Sequence, residues 1–539
     1  MSIDVFGGRD RHNERVLGLG PQPRTARAAL FAALLTVLAA LAGLAGLAPR
    51  ARAATVTVTA SPTGAAVPRG FLGISTQYRA LEAYTGSNPH SLDPAFLNLL
   101  GDIAPGQSPV LRIGGESADW SWYPIPHHKR PRGVTFTIDN KWLKVARATA
   151  QQLHAQLILD VNLEASDRAD AVGEAKAMLS RIGRRYIKAM EIGNEPELYH
   201  HFAWYHTAKG LPVPGRPASW SPPQYRAQFS QFAHAMPRVP IAGPVSGLGT
   251  WLRSLGTFLH DEPFVGLTTI HAYPLKHCSS DHVVTIPQVL SNAASAGFVQ
   301  EVTPYVETSH AHGKPIRIDE VNAVTCGGTA GVSDSFASAL WMLDTMFGLA
   351  RAGVDGVNVN TVPHSINSIL NPVLAHNNPA IAVQPEWYSM MMFAQAAPPG
   401  SRIMRLHVQL PAGMEAWATR DGQGTVHVVL INKHAHGSEP TTLHVPSAAG
   451  PATLERLQAR GLASTQDVRL GGQTFGSATP TGLLSGTPTD EIVAPVDGAY
   501  TLQVPGASAA MLTFHASPST LLMSALSGRG LLSQLMSSW

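Results

Sequence analysis

Eight short apolar runs, each ending in polar residues, recur along residues 70–400. Continuous apolar runs are typical of strands that are buried on both faces of a parallel sheet. Segments with apolar residues at helical spacing lie between them, such as residues 169–183 and 333–353. In the second segment, we expect Ser333 to cap the start of the helix and Gly353 to end it. The apolar runs span residues 71–77, 109–117, 155–164, 186–195, 239–247, 266–273, 315–322 and 354–363.

The alternation of strands and helices over residues 70–400 predicts an α/β fold, the closed (β/α)8 TIM barrel. From residue 401 the pattern changes to alternating apolar and polar positions, with a hairpin signal at residues 421–422. Residues 401–516 are therefore predicted to form a C-terminal antiparallel β-sandwich. Residues 54–69 also alternate, so we expect an N-terminal strand that joins this β-domain. The tail, residues 517–539, is mildly amphipathic and is left unassigned.

Residues 1–53 are predicted to be an export signal. Several arginines precede an apolar stretch at residues 28–48, and an A-x-A pattern follows at residues 51–53. A basic region, an apolar core and small residues at the end are typical of secretory signal peptides. We therefore expect a secreted, extracellular protein. The apolar stretch is also long enough to cross a bilayer, so an uncleaved N-terminal membrane anchor is the alternative.

Charge and cysteine content narrow the possible partners. The formal net charge is +3 over 539 residues and the body of the chain has no basic run, which argues against a nucleic-acid partner. In an exported protein, Cys278 and Cys326 favour a disulfide, with two free buried thiols as the alternative. They lack the paired spacing of a metal site, and the 23 histidines are scattered. No metal or other cofactor is expected.

Two glutamates stand where predicted barrel strands end. Glu195 closes the fourth strand, and Glu320 lies near the end of the seventh. These strands face each other across the barrel mouth, and TIM barrels place their chemistry at the carboxyl ends of the strands. Retaining glycoside hydrolysis requires two carboxyl groups about 5–5.5 Å apart, one protonated and one ionised. Asn194 can hydrogen-bond a sugar 2-hydroxyl. The alternative for each glutamate is a buried structural carboxylate.

The motifs around these positions resemble glycoside hydrolase family 79, the β-glucuronidase and heparanase-like group. This family belongs to the clan of (β/α)8 glycosidases with the acid after strand four and the nucleophile after strand seven. The resemblance implies that Glu195 is the acid/base and Glu320 the nucleophile. It also implies that Tyr273 hydrogen-bonds Glu320 and keeps it ionised. The motifs are "RIGGES", "EIGNEPELY", "HAYP" and "RIDEVNAVTCGG".

Other site residues follow from the same resemblance, with one departure. Arg112 is expected to fix carboxylates inside the barrel, with Glu191 as a partner. In the glucuronidases, a tyrosine soon after the nucleophile and glycine amides hold the sugar carboxylate. Here Thr325 takes the place of that tyrosine, while Gly327 and Gly328 remain. A second carboxylate-contacting tyrosine, after strand eight, has no clear match, and that segment offers Thr361, His364 and Asn367.

Two polar residues and a group of aromatics complete the predicted site. Gln77 ends the first strand and is a substrate-binding candidate. Glu116 is another, although it would repel a uronate if it pointed into the pocket. Aromatic residues near the mouth are expected either to stack on the leaving group or to pack the loops. They are residues 120–123, Tyr199, Phe202, Trp204 and Tyr205.

The sequence therefore predicts an exported, retaining β-glycosidase without a cofactor, most similar to a β-glucuronidase. Its partner would be a carbohydrate or glycoside, and it would meet a membrane only if the N-terminal segment stayed uncleaved. A β-glucosidase or a diglycosidase on neutral glycosides is the alternative enzyme, because the carboxylate-binding tyrosines are missing. A catalytically inactive carbohydrate-binding protein is the alternative of another class, against which the two glutamates argue.

Overall fold

The computed structural model describes residues 54–279, 283–375, 377–448 and 450–515. The predicted export signal and the unassigned tail lie outside these ranges. Among the described residues, no helix is both long and apolar enough to cross a membrane. The same residues contain no group of histidines, cysteines and acids that could hold a metal ion.

Eight parallel strands close into a barrel in chain order, so the predicted fold class is confirmed. The eighth strand pairs with the first, with Val357 opposite Leu72. Five apolar side chains form a small cluster inside the barrel near the amino ends of the strands: Val110, Ile158, Ala189, Ala242 and Leu267. Space for chemistry is therefore left at the carboxyl ends. The strands are Leu72–Gln77, Val110–Gly114, Gln156–Val161, Ile187–Ile192, Ile241–Gly247, Val265–Ala272, Ile316–Val321 and Gly356–Asn360.

Helices cover the outside of the barrel, and the longest of them, Phe336–Ala352, is buried along almost its whole length. It ends as predicted at Gly353, whose φ of 89° is left-handed. The predicted cap was wrong: the helix begins after Ser335, and the hydroxyl of Ser333 accepts a hydrogen bond from Thr329 N in the preceding loop. The other α-helices are Leu81–Thr85, Pro94–Asp102, Asn140–Leu153, Arg168–Met178, Pro222–Ala235, Leu255–Asp261, Ile286–Val289, Phe298–Ala311 and Pro385–Ala396.

A ten-stranded sheet forms the β-domain and includes the first described strand, Ala54–Ala66. This strand is antiparallel to Arg402–Gln409 and parallel to Ser438–His444. All other pairings in this sheet are antiparallel, so the predicted antiparallel β-domain is confirmed; the one parallel pairing arises because a strand between neighbours that run in opposite directions must be parallel to one of them. The remaining strands are Met414–Arg420, Val426–Asn432, Ala452–Gln458, Arg469–Leu470, Glu491–Val493, Ala499–Pro505 and Ser508–Phe514.

The sheet curls so that strands far apart in its hydrogen-bonded order share one apolar core. Val56, Leu430 and Val504 belong to that core, although their strands are not neighbours. Asn432 Nδ2 also donates a hydrogen bond of 2.9 Å to Val504 O across the fold. One continuous sheet therefore supplies both layers of the sandwich.

A buried ion pair joins the barrel to the β-domain. Lys433 Nζ lies 2.7 Å from Asp344 Oδ2, and the two side chains are only 3% and 6% exposed. Trp417 Nε1 donates to the other oxygen of Asp344 at 2.9 Å. The ring of Trp417 also stacks on Phe347, with centroids 5.6 Å apart. Both oxygens of this buried carboxylate are satisfied, as a buried charge requires.

The ion pair gives a stability prediction. Asp344→Ala would leave the Lys433 ammonium buried without a counter-charge, so we expect a loss of about 3–5 kcal/mol in the free energy of unfolding. Chemical denaturation followed by tryptophan fluorescence measures it. The matched control is Asp467→Ala, since Asp467 pairs with Arg460 at the surface, where the side chains are 59% and 84% exposed. That control should lose less than about 1 kcal/mol, and equal losses in the two variants would contradict the account.

Candidate active site

A cleft of about 660 Å³ opens at the carboxyl ends of the barrel strands. This volume is within the range of small-molecule sites. Among the predicted substrate-binding residues, Gly328 does not line it; its backbone packs so closely on the side chains of Asn367 and Ser333 that a Cβ there would clash with both. The predicted residues that do line the cleft are Gln77, Glu116, Asn194, Glu195, Tyr273, Glu320 and Gly327.

The backbone after the fourth strand presents Glu195 to the cleft in an unusual conformation. Gly193 has a φ of 77°, and a side chain there would clash with the Tyr199 hydroxyl and Leu163. Glu195 itself has a φ of 46°, a left-handed conformation that costs a non-glycine residue about 1–3 kcal/mol. Pro196 then begins a short 3₁₀ turn. The Gly-Asn-Glu-Pro sequence therefore aims the carboxyl group by ending the strand in a strained turn.

His271 brings the two candidate carboxyl groups together. Its Nδ1 lies 3.0 Å from Glu195 Oε1 and 3.9 Å from Glu320 Oε2. These two oxygens can therefore be no further apart than the sum of those distances, about 6.9 Å. Carboxyl groups stand about 5–5.5 Å apart in retaining glycosidases and about 6.5–9.5 Å apart in inverting ones. The limit admits the retaining separation and excludes most of the inverting range. Sequence reasoning missed His271, although it stands in the "HAYP" motif.

Three donors hold the Glu320 carboxyl group in place. Tyr273 Oη donates to Oε1 at 2.5 Å, and Arg112 Nη1 donates to Oε2 at 3.0 Å. Asn360 Nδ2 adds a longer hydrogen bond of 3.3 Å to Oε1. Hydrogen bonds from donors and a nearby positive charge favour the ionised form of a carboxyl group. Asn360 ends the eighth strand, and its role could not be identified from the sequence.

Arg112 lies fully buried beneath the cleft, where it is surrounded by acids. Its guanidinium nitrogens lie 3.1 Å from Asp160, 2.9 Å from Glu191 and 3.7 Å from Asp319, in addition to the contact with Glu320. Burial raises the pKa of Asp160 and of Asp319 well above the usual range. Burial also acts on Glu191, but the charge of Arg112 outweighs it and lowers the pKa of that carboxyl. Burial thus favours the protonated form of Asp160 and Asp319, whereas the charge of Arg112 favours the ionised form of Glu191.

Asn194 is oriented from below by the same guanidinium. Arg112 Nη2 donates to Asn194 Oδ1 at 2.9 Å, which leaves the amide NH₂ group toward the cleft. Asp119, which sequence reasoning missed, accepts hydrogen bonds from the backbone of Asn194 at 3.0 Å and from the Tyr199 hydroxyl at 2.7 Å. Tyr199 is 4% exposed. It therefore supports the loop and has little surface to offer a sugar.

The remaining aromatic candidates divide between the cleft and the loops. Trp120, Phe202 and Trp204 line the cleft, and Phe202 is 63% exposed. Trp204 Nε1 donates to Asp119 O at 2.9 Å, which fixes the plane of its indole ring. Trp122, Tyr123 and Tyr205 are not among the lining residues.

The residues considered as replacements for the missing tyrosines also divide. Thr361 is buried and within hydrogen-bond distance, 3.0 Å, of the Tyr84 hydroxyl, so it has a structural role. His364 is not among the lining residues. Asn367 lines the cleft, but its Nδ2 donates to Val324 O at 2.6 Å. Thr325 also lines it, and its hydroxyl accepts a hydrogen bond from His277 N at 3.1 Å.

Additional carboxyl groups make one side of the cleft acidic. Glu116 faces the cleft, and burial followed by the charges of Glu195 and Glu320 raises its pKa. Burial raises the pKa of Glu164 to about 9 and that of Glu197 to about 7. Glu197 accepts hydrogen bonds from Ser246 Oγ and Gly247 N. Neither glutamate was predicted: Glu164 stands outside the quoted motifs, and Glu197 stands inside "EIGNEPELY" but was given no role.

A disulfide between Cys278 and Cys326 joins the loops that follow the sixth and seventh strands, as predicted. Their Cα atoms are 5.2 Å apart. Backbone pairing reinforces the link, since Leu275 N donates to Ala323 O at 3.2 Å and Thr325 N donates to Leu275 O at 2.9 Å. The two loops therefore form one cross-linked rim beside Glu320.

The fold and the site together define a class, the (β/α)8 glycosidases with glutamates after strands four and seven. Residues 416–511 match the family model for the glycosyl hydrolase family 79 C-terminal beta domain. A β-glucuronidase of Aspergillus niger is 22% identical over 531 residues, which cover 86% of this chain and 95% of that protein. A β-glucuronidase of Neurospora crassa is 21% identical over 419 residues, covering 68% of this chain and 72% of that one. The chain is a glycoside hydrolase similar to β-glucuronidases, and its C-terminal β-domain matches that of family 79.

Solved structures agree on the fold. A 4-O-α-L-rhamnosyl-β-D-glucuronidase from Fusarium oxysporum matches with a TM-score of 0.68 and 18% identity over 85% of this chain and 100% of that one. A family 51 arabinofuranosidase from Xanthomonas axonopodis matches with a TM-score of 0.59 and 13% identity over 86% of this chain and 100% of the other. At these identities, the similarity establishes the shared architecture.

The Glu195–His271 pair predicts a pH dependence. Burial raises the pKa of Glu195, but the hydrogen bond and charge of His271 outweigh it, so the pKa is lowered. Burial lowers the pKa of His271, but the charges of Glu320 and Glu195 outweigh it and raise the pKa above 6.5. The Glu195–His271 pair therefore loses its last proton above about pH 6.5. Because the first step needs that proton, kcat/KM should fall as the pH rises above this value.

The variant His271→Gln tests this assignment. Glutamine keeps a hydrogen-bond donor but cannot be protonated, so the alkaline limb should move to lower pH, where Glu195 titrates alone. The measurement is kcat/KM as a function of pH for both proteins. His260→Gln is the control, because that side chain is 81% exposed and distant in sequence from the motifs. An alkaline limb that stays in place in His271→Gln would contradict the shared proton.

Proposed function

We propose that this protein hydrolyses a β-glucuronide by a retaining, double-displacement mechanism. The observation that carries the proposal is the placement of Glu195 and Glu320, whose carboxyl oxygens lie 3.0 and 3.9 Å from one histidine nitrogen. Glu320 accepts from three donors, Tyr273, Arg112 and Asn360, whereas Glu195 is paired with one titratable group, His271. The assignment of roles follows from this asymmetry.

In the first step, a Glu320 oxygen attacks the anomeric carbon and the bond from that carbon to the leaving oxygen breaks. Glu195 gives its proton to the leaving oxygen, so the aglycone departs as a neutral alcohol or phenol. His271 holds a proton at Nδ1 next to Glu195 Oε1 and can restore the acid form through their hydrogen bond. The products of this step are the free aglycone and a glycosyl ester on Glu320.

In the second step, water attacks the same carbon from the face that the aglycone left. Glu195 takes the proton of that water, and the ester bond to Glu320 breaks. Esterification has removed the negative charge of Glu320, and a like charge nearby favours the protonated form of a carboxyl group. Glu195 is therefore ionised more readily at this stage than in the free enzyme, and its ionised form can accept the proton of the water. The sugar leaves with its original β configuration.

Support for a uronate comes from the two similar β-glucuronidases and from the retained Gly327, which lines the cleft beside Glu320. A neutral β-glucoside or diglycoside is the second candidate substrate. The specific observation that favours it is Glu116, which faces the cleft and would repel a carboxylate placed close to it.

We also propose that the protein is exported. The disulfide between Cys278 and Cys326 supports an oxidising compartment, where such bonds persist. The basic and apolar pattern of residues 1–53 supports export by means of a secretory signal peptide. Expression in a secreting bacterial host, followed by N-terminal sequencing of the protein in the medium, should give a first residue near Ala54. A chain that stays with the membrane fraction and keeps its first 53 residues would instead favour the anchored form.

Azide rescue tests the roles of the two glutamates. With an activated aryl β-glucuronide, Glu195→Ala should lower turnover by about 10²–10⁴-fold, because the base is lost while Glu320 still forms the ester. Azide should then restore the rate and give a β-glucuronyl azide. Glu320→Ala should lose turnover altogether, and azide, attacking the substrate directly, should give the α-azide.

The control for azide rescue is Glu307→Ala, on the outer helix Phe298–Ala311, which should keep wild-type rates and yield no azide product. Product configuration is read by proton NMR. Exchange of the two configurations between the variants would reverse the assigned roles, and full activity of Glu320→Ala without azide would remove the mechanism.

A further inference from the structure

The rim formed by the loops after strands six and seven carries a cation that no motif had indicated. Lys276 is the one lysine or arginine among the described residues that line the cleft. Tyr273, Thr325 and Gly327 line the same cleft, and the segment of Thr325 pairs with the segment of Lys276 through the bridge between Leu275 and Val324. Its side chain is exposed, and it takes part in none of the ion pairs found among the described residues. A cation without an ion-pair partner among the described residues therefore lines the same cleft as Glu320.

The backbone that carries Lys276 is fixed on both sides. Leu275 forms a parallel bridge with Val324, and the disulfide of Cys278 follows two residues after the lysine. His277 N donates to Thr325 Oγ1 at 3.1 Å. The lysine thus projects from a cross-linked rim, and its position does not depend on a loose loop. A fixed cation loses less entropy when it binds an anion than one on a disordered segment.

Lys276 and several carboxyl groups of the cleft stand on different sides of the barrel mouth. Strands two and six are opposite in an eight-stranded barrel, so Glu116 and Lys276 stand on opposite rims. Glu164 and Glu197, which follow strands three and four, add carboxyl groups away from the lysine rim. The charged lysine would attract an anionic substituent, and only those carboxyl groups of the other side that are ionised would repel it.

We propose that Lys276 binds the C5 carboxylate of the sugar whose anomeric carbon reacts with Glu320. It would take over the contact that the resemblance assigned to tyrosines absent from this chain. Lysine binds an anion as a point charge with three donors, so it needs less exact alignment than a tyrosine hydroxyl. The inference rests on the proposed β-glucuronidase function and makes Lys276 the residue that sets the preference for a uronate over a neutral sugar.

The test compares kcat/KM on 4-nitrophenyl β-glucuronide and 4-nitrophenyl β-glucoside for wild type, Lys276→Met and Lys276→Arg. Methionine keeps most of the side-chain length without the charge, and arginine keeps the charge. Lys276→Met should lose about 10- to 100-fold on the glucuronide, mainly through KM, because a charge-assisted hydrogen bond disappears. On the glucoside, kcat/KM of Lys276→Met should stay within about twofold of the wild-type value. Lys276→Arg should recover most of the activity that Lys276→Met loses on the glucuronide. Lys144→Met, on the outer helix Asn140–Leu153, is the matched control and should behave as wild type.

The outcomes separate this inference from the function on which it rests. If wild type prefers the glucuronide and Lys276→Met keeps that preference, the lysine assignment is wrong while the proposed function stands. Equal losses on both sugars would also overturn it, because they would indicate a structural role. If wild type hydrolyses the glucoside and not the glucuronide, the proposed substrate is wrong and the lysine assignment falls with it. Loss confined to the glucuronide, with recovery in Lys276→Arg, supports both.

Discussion

The site is built around one buried cation. Arg112 is fully buried on the second strand and reaches residues of the third, fourth and seventh strands through its guanidinium group. A buried charge without partners would cost several kcal/mol, so the surrounding acids are required for the cation to be there at all. The same contacts fix Asn194 and Glu320 at their positions in the cleft. The arrangement of the candidate catalytic groups thus depends on satisfying this single charge.

Charge also organises the cleft above Arg112. The acids of the cleft do not all ionise together, because burial raises the pKa of Glu164 to about 9 and of Glu197 to about 7. Glu320 is distinguished from these groups by its donors, and Glu195 by its histidine partner. Carboxyl groups of one chemical type can therefore serve different purposes, since their surroundings decide which of them hold protons. The opposite rim carries a positive charge instead, on Lys276.

The sequence was sufficient for the barrel and for the residues that stand in motifs. Each apolar run overlaps an observed strand, because strands covered on both faces must be apolar throughout. Glu195, Glu320 and Tyr273 were identified since each ends or follows such a run within a recognisable motif. His271, Asn360 and Asp119 were missed, because their roles come from contacts between strands that no local pattern encodes. The cap at Ser333 failed for a similar reason: the loop before the helix uses that hydroxyl for its own hydrogen bond.

The central claim is that Glu195 and Glu320 act by double displacement, and the stereochemistry of hydrolysis tests it most directly. Proton NMR can follow the wild-type chain as it cleaves an aryl β-glucuronide in D₂O, at early times before the sugar anomers equilibrate. The account predicts that the β-anomer of the free sugar appears first and that the α-anomer follows by mutarotation. Initial release of the α-anomer would show a single inverting displacement and would contradict the assignment of Glu320 as the nucleophile.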